Sequence, residues 1–193
     1  MYRPDGSVRR TRRSINEPGH AHELTFSCHR RWPLLSKDRT RQWFVEALDQ
    51  ARQRWAFELW AYVIMPEHAH ILLWPTQPDY EMEHILKAIK LSVSRRATIF
   101  LRHNAPQWLD RLAVRRPDGR IEHRFWEQGG GYDRNVYRED AAWNSVHYLH
   151  NNPVRRGLVA TPTEWRWSSA RWYEGLDDVA LAMDNHPEYP PPQ

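Results

Sequence analysis

Two apolar segments set back to back constrain this chain more than any other feature. Residues 57–65 (FELWAYVIM) and 68–74 (HAHILLW) are separated only by Pro66-Glu67, and Pro75 closes the second. Both are apolar enough, and of the right length, to be strands. A break this short leaves room only for a tight turn, so the spacing predicts an antiparallel pair.

Other elements follow from periodicity. Residues 22–28 (HELTFSC) alternate as a first strand does, and residues 33–37 read as a turn. Trp43, Phe44, Ala47, Leu48 and Ala51 recur at helical spacing, predicting a helix over 38–54 that Asp38 can cap. Residues 80–102 read as a long helix with a basic face, 103–120 as a loop or loose hairpin, and 121–126 (IEHRFW) as a short strand. Gly129, Gly130 and Gly131 predict a flexible or tightly turned backbone. Residues 139–152 form a helix, stopped by Pro153 because a residue before proline avoids the α region.

The first six elements run strand, helix, strand, strand, helix, strand. That order predicts a ferredoxin-like α+β domain, an antiparallel sheet with flanking helices. We place the domain at 20–175. A basic flexible arm at 1–19 precedes it (Arg3, Arg9, Arg10, Arg12 and Arg13), and a flexible tail at 176–193 follows. The Trp-rich stretch after Gly157 is expected to pack back on the domain.

Composition bounds the function. With 193 residues, 40% of them hydrophobic, the chain can bury a core of its own. Cys28 is the only cysteine, which excludes an intrachain disulfide and a Cys-rich zinc site. The N-terminus is charged and polar, and no apolar run approaches the ~20 residues a membrane span needs. A cytoplasmic protein with no membrane partner is the expectation. The formal net charge is +4, and Arg outnumbers Lys by 25 to 3. Arginine's planar fork suits phosphate, so the balance is compatible with a nucleic-acid partner.

His68-Ala69-His70 carries the sharpest chemistry. Side chains at i and i+2 of a strand share a face, about 7 Å apart along it, a workable bite for one metal ion. Ala69 faces the core, and Glu67 falls on the opposite face of a regular strand. His20-Ala21-His22 has the same spacing but sits at a frayed end, and His29 and His123 are isolated. On the helix over 139–152, Ala142, Trp143, Val146 and Leu149 make one stripe, the buried one. Ala141, Ser145, Tyr148 and Asn152 make the next, bringing a phenol and an amide to one side. Two imidazoles and an amide oxygen would hold a hard cation such as Mg²⁺ or Mn²⁺ with positions left open for phosphate oxygen. Taken alone, the helix is better read as carrying a boundary aromatic at Tyr148 and a helix-end amide at Asn152.

The segments YVIMPEHAHILLWP (62–75), RFWEQGGGYDRNVY (124–137), VHYLHNNPVRRGLV (146–159) and EWRWSSARWY (164–173) resemble the REP-associated tyrosine transposases of the HUH single-tyrosine superfamily. The likeness runs over about residues 19–175. It implies an HUH nuclease fold, with His68 and His70 as metal ligands, Asn152 as the third, and Tyr148 as nucleophile; Tyr132 and Tyr137 are the alternatives. A bulky residue is usual between the two histidines, and here it is Ala69. The resemblance also implies single-stranded or hairpin DNA as substrate, with repetitive extragenic palindromes and a nucleoid association suggested. Lys87, Lys90, Arg95, Arg96, Arg115, Arg116, Arg155 and Arg156 are candidates for phosphate contacts, and a Trp could stack an unpaired base. Monomer and homodimer both remain open. Two rival readings keep the fold: a hairpin-binding protein that does not cut, and a metal-dependent hydrolase without a covalent intermediate.

Overall fold

The computed structural model describes residues 15–184. Most of the expected basic arm (1–14) and the end of the expected tail (185–193) lie outside the described residues. The strands are β1 (Ala21–Ser27), β2 (Phe57–Ile64), β3 (His68–Pro75), β4 (Ala113–Arg115), β5 (Ile121–His123) and β6 (Tyr132–Val136). The helices are α1 (Asp38–Trp55), α2 (Met82–Asn104), α3 (Pro106–Leu112), α4 (Glu139–Arg155) and α5 (Ala170–Tyr173).

The main sheet has the order β2-β3-β1-β6, with every pair antiparallel. Numbered by its own four strands, that is the ferredoxin-like arrangement, as expected. The fourth strand, however, is β6, not the 121–126 segment. Residues 121–123 pair with β4 in a separate two-stranded hairpin, and Trp126 makes one isolated bridge, to Cys28 just past β1, while its ring packs on Phe26. β6 (YDRNV) pairs on one side only and is mostly polar, so it lacks the apolar alternation by which a strand is recognised.

Each face of the sheet has its own core, and strand alternation sorts the residues between them. Leu24, Phe26, Ala69, Ile71 and Leu73 pack with α1 and α2 residues such as Phe44, Leu48, Ile85 and Ile89. Ala21, Leu72 and Val136 pack with Ala142, Val146 and Leu149 of α4. β2 serves both layers because its register shifts between Leu59 and Ala61. The irregularity puts Trp60 and Ala61 together on the α4 side, with Leu59 and Tyr62 on the other.

Two expectations are corrected. Helix α4 runs through Pro153 to Arg155, with Arg156 N donating to Asn152 O. Pro153 has no N–H to give Leu149 O, so the helix forgoes one hydrogen bond and continues for only two more residues. Nor are residues 176–184 a free tail. Leu181 and Met183 are buried, and Asp184 pairs with Leu59 through backbone and side chain. Ser168, earlier in the chain, forms a bridge to Val63, so it and Asp184 together shield the open edge of β2.

Candidate active site

His68 and His70 leave β3 on the α4 side of the sheet. Their Nε2 atoms stand 2.9 Å apart. Two nitrogens bound to one ion at right angles, each at about 2.1 Å, would be about 3 Å apart, so the pair fits a shared cation. The far nitrogens are anchored. His70 Nδ1 lies 2.7 Å from Thr25 Oγ1, and His68 Nδ1 lies 3.2 Å from Glu67 Oε1. Such partners fix the orientation of a ligating imidazole. Burial lowers the pKa of both rings, that of His70 to about 3. Both are therefore neutral at pH 7, with lone pairs to offer.

Glu67 reaches His68 although strand alternation would put it on the opposite face. It belongs to the turn before β3, where alternation does not apply. Arg156 Nη1 donates to the same Oε1 at 2.6 Å. Burial opposes ionisation of Glu67, but the Arg156 hydrogen bond and the neighbouring charges outweigh it and lower its pKa.

Helix α4 brings the phenol. The rings of His70 and Tyr148 are 5.8 Å apart and perpendicular, and the Arg155 guanidinium lies over the Tyr148 ring at 5.3 Å. Asn152, one turn on, is buried, and its Nδ2 donates to Tyr148 O at 3.0 Å, which leaves Oδ1 as its acceptor end. His68, His70, Tyr148 and Asn152 all line one cleft of about 640 Å³. Among the described residues no three His, Cys, Asp or Glu side chains converge as a metal cluster, and the other oxygen donors lining the cleft are side chains such as Asn152, Asn144 and Ser145. An amide oxygen such as that of Asn152 qualifies as a third ligand.

Of the other tyrosines, Tyr132 lines the cleft, whereas Tyr137 packs against His20. The rival His22 is a satisfied core residue. It is fully buried, with Asp133 Oδ1 and Tyr80 OH each 2.8 Å from its ring nitrogens.

The eight basic candidates do not form one surface. Arg156 lines the cleft and Arg155 covers Tyr148. Lys87 and Lys90 line a different groove, beside Gly129 and Gly130, and Lys90 Nζ donates to the carbonyls of Glu127 and Gly129. Arg95 and Arg96 lie in a groove between α1 and α2, where Arg96 pairs with Glu46. Arg115 is on β4, and Arg116 pairs with Glu122 at 3.4 Å. The cleft's remaining cations, Arg31 and Arg134, escaped the sequence reading. Arg134 becomes visible only once Tyr132–Val136 is recognised as a strand beside β1.

Comparison with known proteins agrees with this architecture. The family model "Transposase IS200 like" matches residues 19–110. A Haemophilus influenzae protein assigned as a REP-associated tyrosine transposase is 24% identical over 144 residues, 70% of this chain and 76% of its own. This chain is similar to the REP-associated tyrosine transposases. The likeness extends to the fold. A solved REP-associated tyrosine transposase bound to a REP hairpin superposes with a TM-score of 0.65 at 18% identity, covering 97% of this chain and 98% of that one. A structure from Deinococcus radiodurans R1, described as that of a transposase, covers 75% of this chain and 95% of its own with a TM-score of 0.42 and 18% identity. The family likeness supports an enzyme role. Among the described residues no helix is long and apolar enough to cross a membrane.

Proposed function

We propose that this chain nicks and rejoins single-stranded DNA beside a hairpin, using Tyr148 as nucleophile and a divalent metal, Mg²⁺ or Mn²⁺, held by His68, His70 and Asn152. The observation that carries the reading is the meeting of two anchored imidazoles and a tyrosine in one cleft. The metal would polarise the scissile phosphate and offset charge in the transition state.

The protein's residues do the rest. Thr25 and Glu67 hold the imidazoles in place. Helix α4 fixes Tyr148 beside His70, so that its oxygen attacks phosphorus in line. A Tyr–O–P bond forms as the bond from phosphorus to the 3′ oxygen breaks. The phenol gives up its proton, and the departing oxygen takes one to become a free 3′-OH. The product is a 5′-phosphotyrosine, and a 3′-OH from another strand reverses the step without ATP. A repetitive extragenic palindrome is the substrate class suggested by the solved relative, whose hairpin is of that kind.

The test is an incubation of the protein with labelled hairpin DNA carrying single-stranded flanks and Mn²⁺ or Mg²⁺. The expected result is a covalent protein–DNA adduct, lost in Tyr148→Phe and His68→Ala and mapping to Tyr148. Cleavage without an adduct, retained in Tyr148→Phe, would indicate a hydrolase. A shifted band that is never cut would indicate a binding protein.

A further inference from the structure

One charged cluster in the cleft is not used by this chemistry. Arg134 lies opposite Glu23 in the pairing of β6 with β1. Its Nη2 donates to Glu23 Oε2 and to Ser145 Oγ, the latter at 2.8 Å. Ser145 Oγ is itself 2.8 Å from Glu23 Oε2. The carboxylate is the buried member, its side chain 9% exposed against 45% for the arginine's. One edge of the guanidinium is thus fixed from below, and all three residues line the cleft. Arginine has five N–H donors, and the two contacts to Nη2 leave most of the fork unused.

The strand register gives this cluster its place. Glu23, Thr25 and Ser27 share one face of β1, each about 7 Å from the next. Thr25 is opposite His70 and Ser27 opposite His68. Beyond His68 comes Glu67, which holds Arg156. A line along β1 therefore meets Arg134, then the imidazole pair, then Arg156. Each arginine is tethered to a carboxylate, and Tyr148 stands beside the histidines between them. Ser145 is also on α4, one turn before Tyr148, so the Arg134 tether and the phenol are set by the same helix.

We propose that Arg134 is a positioning residue that grips a DNA phosphate flanking the one Tyr148 attacks, with the strand running along β1 toward Arg156. The inference rests on the nicking reading above. A guanidinium tethered before substrate arrives loses little freedom on binding, and its planar fork matches two phosphate oxygens. Because the Glu23–Arg134 pair is neutral as a whole, its contribution is register more than attraction.

The experiment replaces one phosphate at a time with a neutral methylphosphonate in a hairpin oligonucleotide with single-stranded flanks. Binding is read by fluorescence anisotropy in the Tyr148→Phe protein, which cannot cut, and adduct rates are read in parallel with Tyr148 intact. One flanking methylphosphonate should weaken binding by about tenfold, the scale of one charge-assisted hydrogen-bond contact. Arg134→Gln should lose the same factor and become insensitive to that substitution, while Arg134→Lys restores part of it. A purely structural role would weaken binding evenly and leave the sensitivity in place. If Arg134→Gln does not fold, Arg134→Lys alone decides, since it must blunt the response at that one phosphate. The proposal is overturned if both variants keep the full pattern of sensitivity. Because the scan needs no cutting, a protein that forms no adduct would sink the nicking reading and still report on Arg134.

Discussion

The rings of His70 and Tyr148 meet edge to face, 5.8 Å apart at 90°, within a single chain. We infer from this contact that the proposed nicking centre draws its histidines and its tyrosine from the same chain. Mixing His70→Ala with Tyr148→Phe should not restore adduct formation, because neither chain holds a whole site. Recovery of activity in the mixture would show instead that the phenol works on a partner's imidazoles. Tyr148→Phe itself should leave stability within about 0.5 kcal/mol, as expected for a side chain that is 43% exposed. Urea denaturation checks this and separates lost chemistry from lost fold.

Thr25 gives a second test, directed at the metal. Its hydroxyl is 2.7 Å from His70 Nδ1, and valine has the same shape without the oxygen. Thr25→Val should weaken Mn²⁺ binding about 10- to 100-fold, the usual effect of losing the partner that orients a ligating histidine. Titration calorimetry with the folded variant gives the number. Unchanged affinity would mean that His70 does not hold the ion, or needs no help to do so.

How much of this was legible in the sequence depended on whether a residue's neighbours are local. The His68–His70 pair follows from two-residue alternation along one strand. The Ser145–Tyr148–Asn152 stripe follows from helical spacing, and all three residues do line the cleft. The turn at Pro66-Glu67 was clear because both flanking segments are apolar. What could not be read was set by pairing across long separations. Glu23 and Arg134 are 111 residues apart, and a polar edge strand joins them. The eight basic residues are spread over several surfaces for a related reason. Lysine and arginine spaced along one helix look like one surface, yet Lys90 turns to loop carbonyls and Arg96 to Glu46.

Lys90 carries a pH prediction. Burial pushes its pKa down to about 8, against the opposing pull of Glu127. An unfolded lysine keeps its proton to about pH 10.4. Between those values the unfolded chain binds more protons, so the Lys90 contribution makes stability rise with pH across that window and stay constant below it. Only three lysines are present, so ¹³C-labelled lysine side chains can be followed one by one. One Cε signal should titrate near pH 8 and vanish in Lys90→Met. If all three move only above about pH 9.5, near the ordinary lysine range, the ammonium is not desolvated as described.

Gly131 sets the entry to β6 and so the place of Arg134. Its φ is +83°, and an added Cβ would stand 2.2 Å from Thr25 O and 3.0 Å from Phe26 Cβ. Gly129 has a similar φ of +90° but nothing within 4 Å. The two positions thus separate backbone strain from collision. Gly129→Ala should cost about 1–2 kcal/mol, the price of a left-handed alanine. Gly131→Ala bears the same strain and must also push β6 away from β1, so its cost should exceed about 3 kcal/mol. Moving the Thr25 backbone would also disturb the hydroxyl that holds His70, so any folded fraction should bind Mn²⁺ more weakly than the Gly129→Ala protein does. Equal stabilities for the two variants would show that β6 can yield at no cost. The register placing Arg134 beside Glu23 would then be softer than the proposed phosphate grip requires.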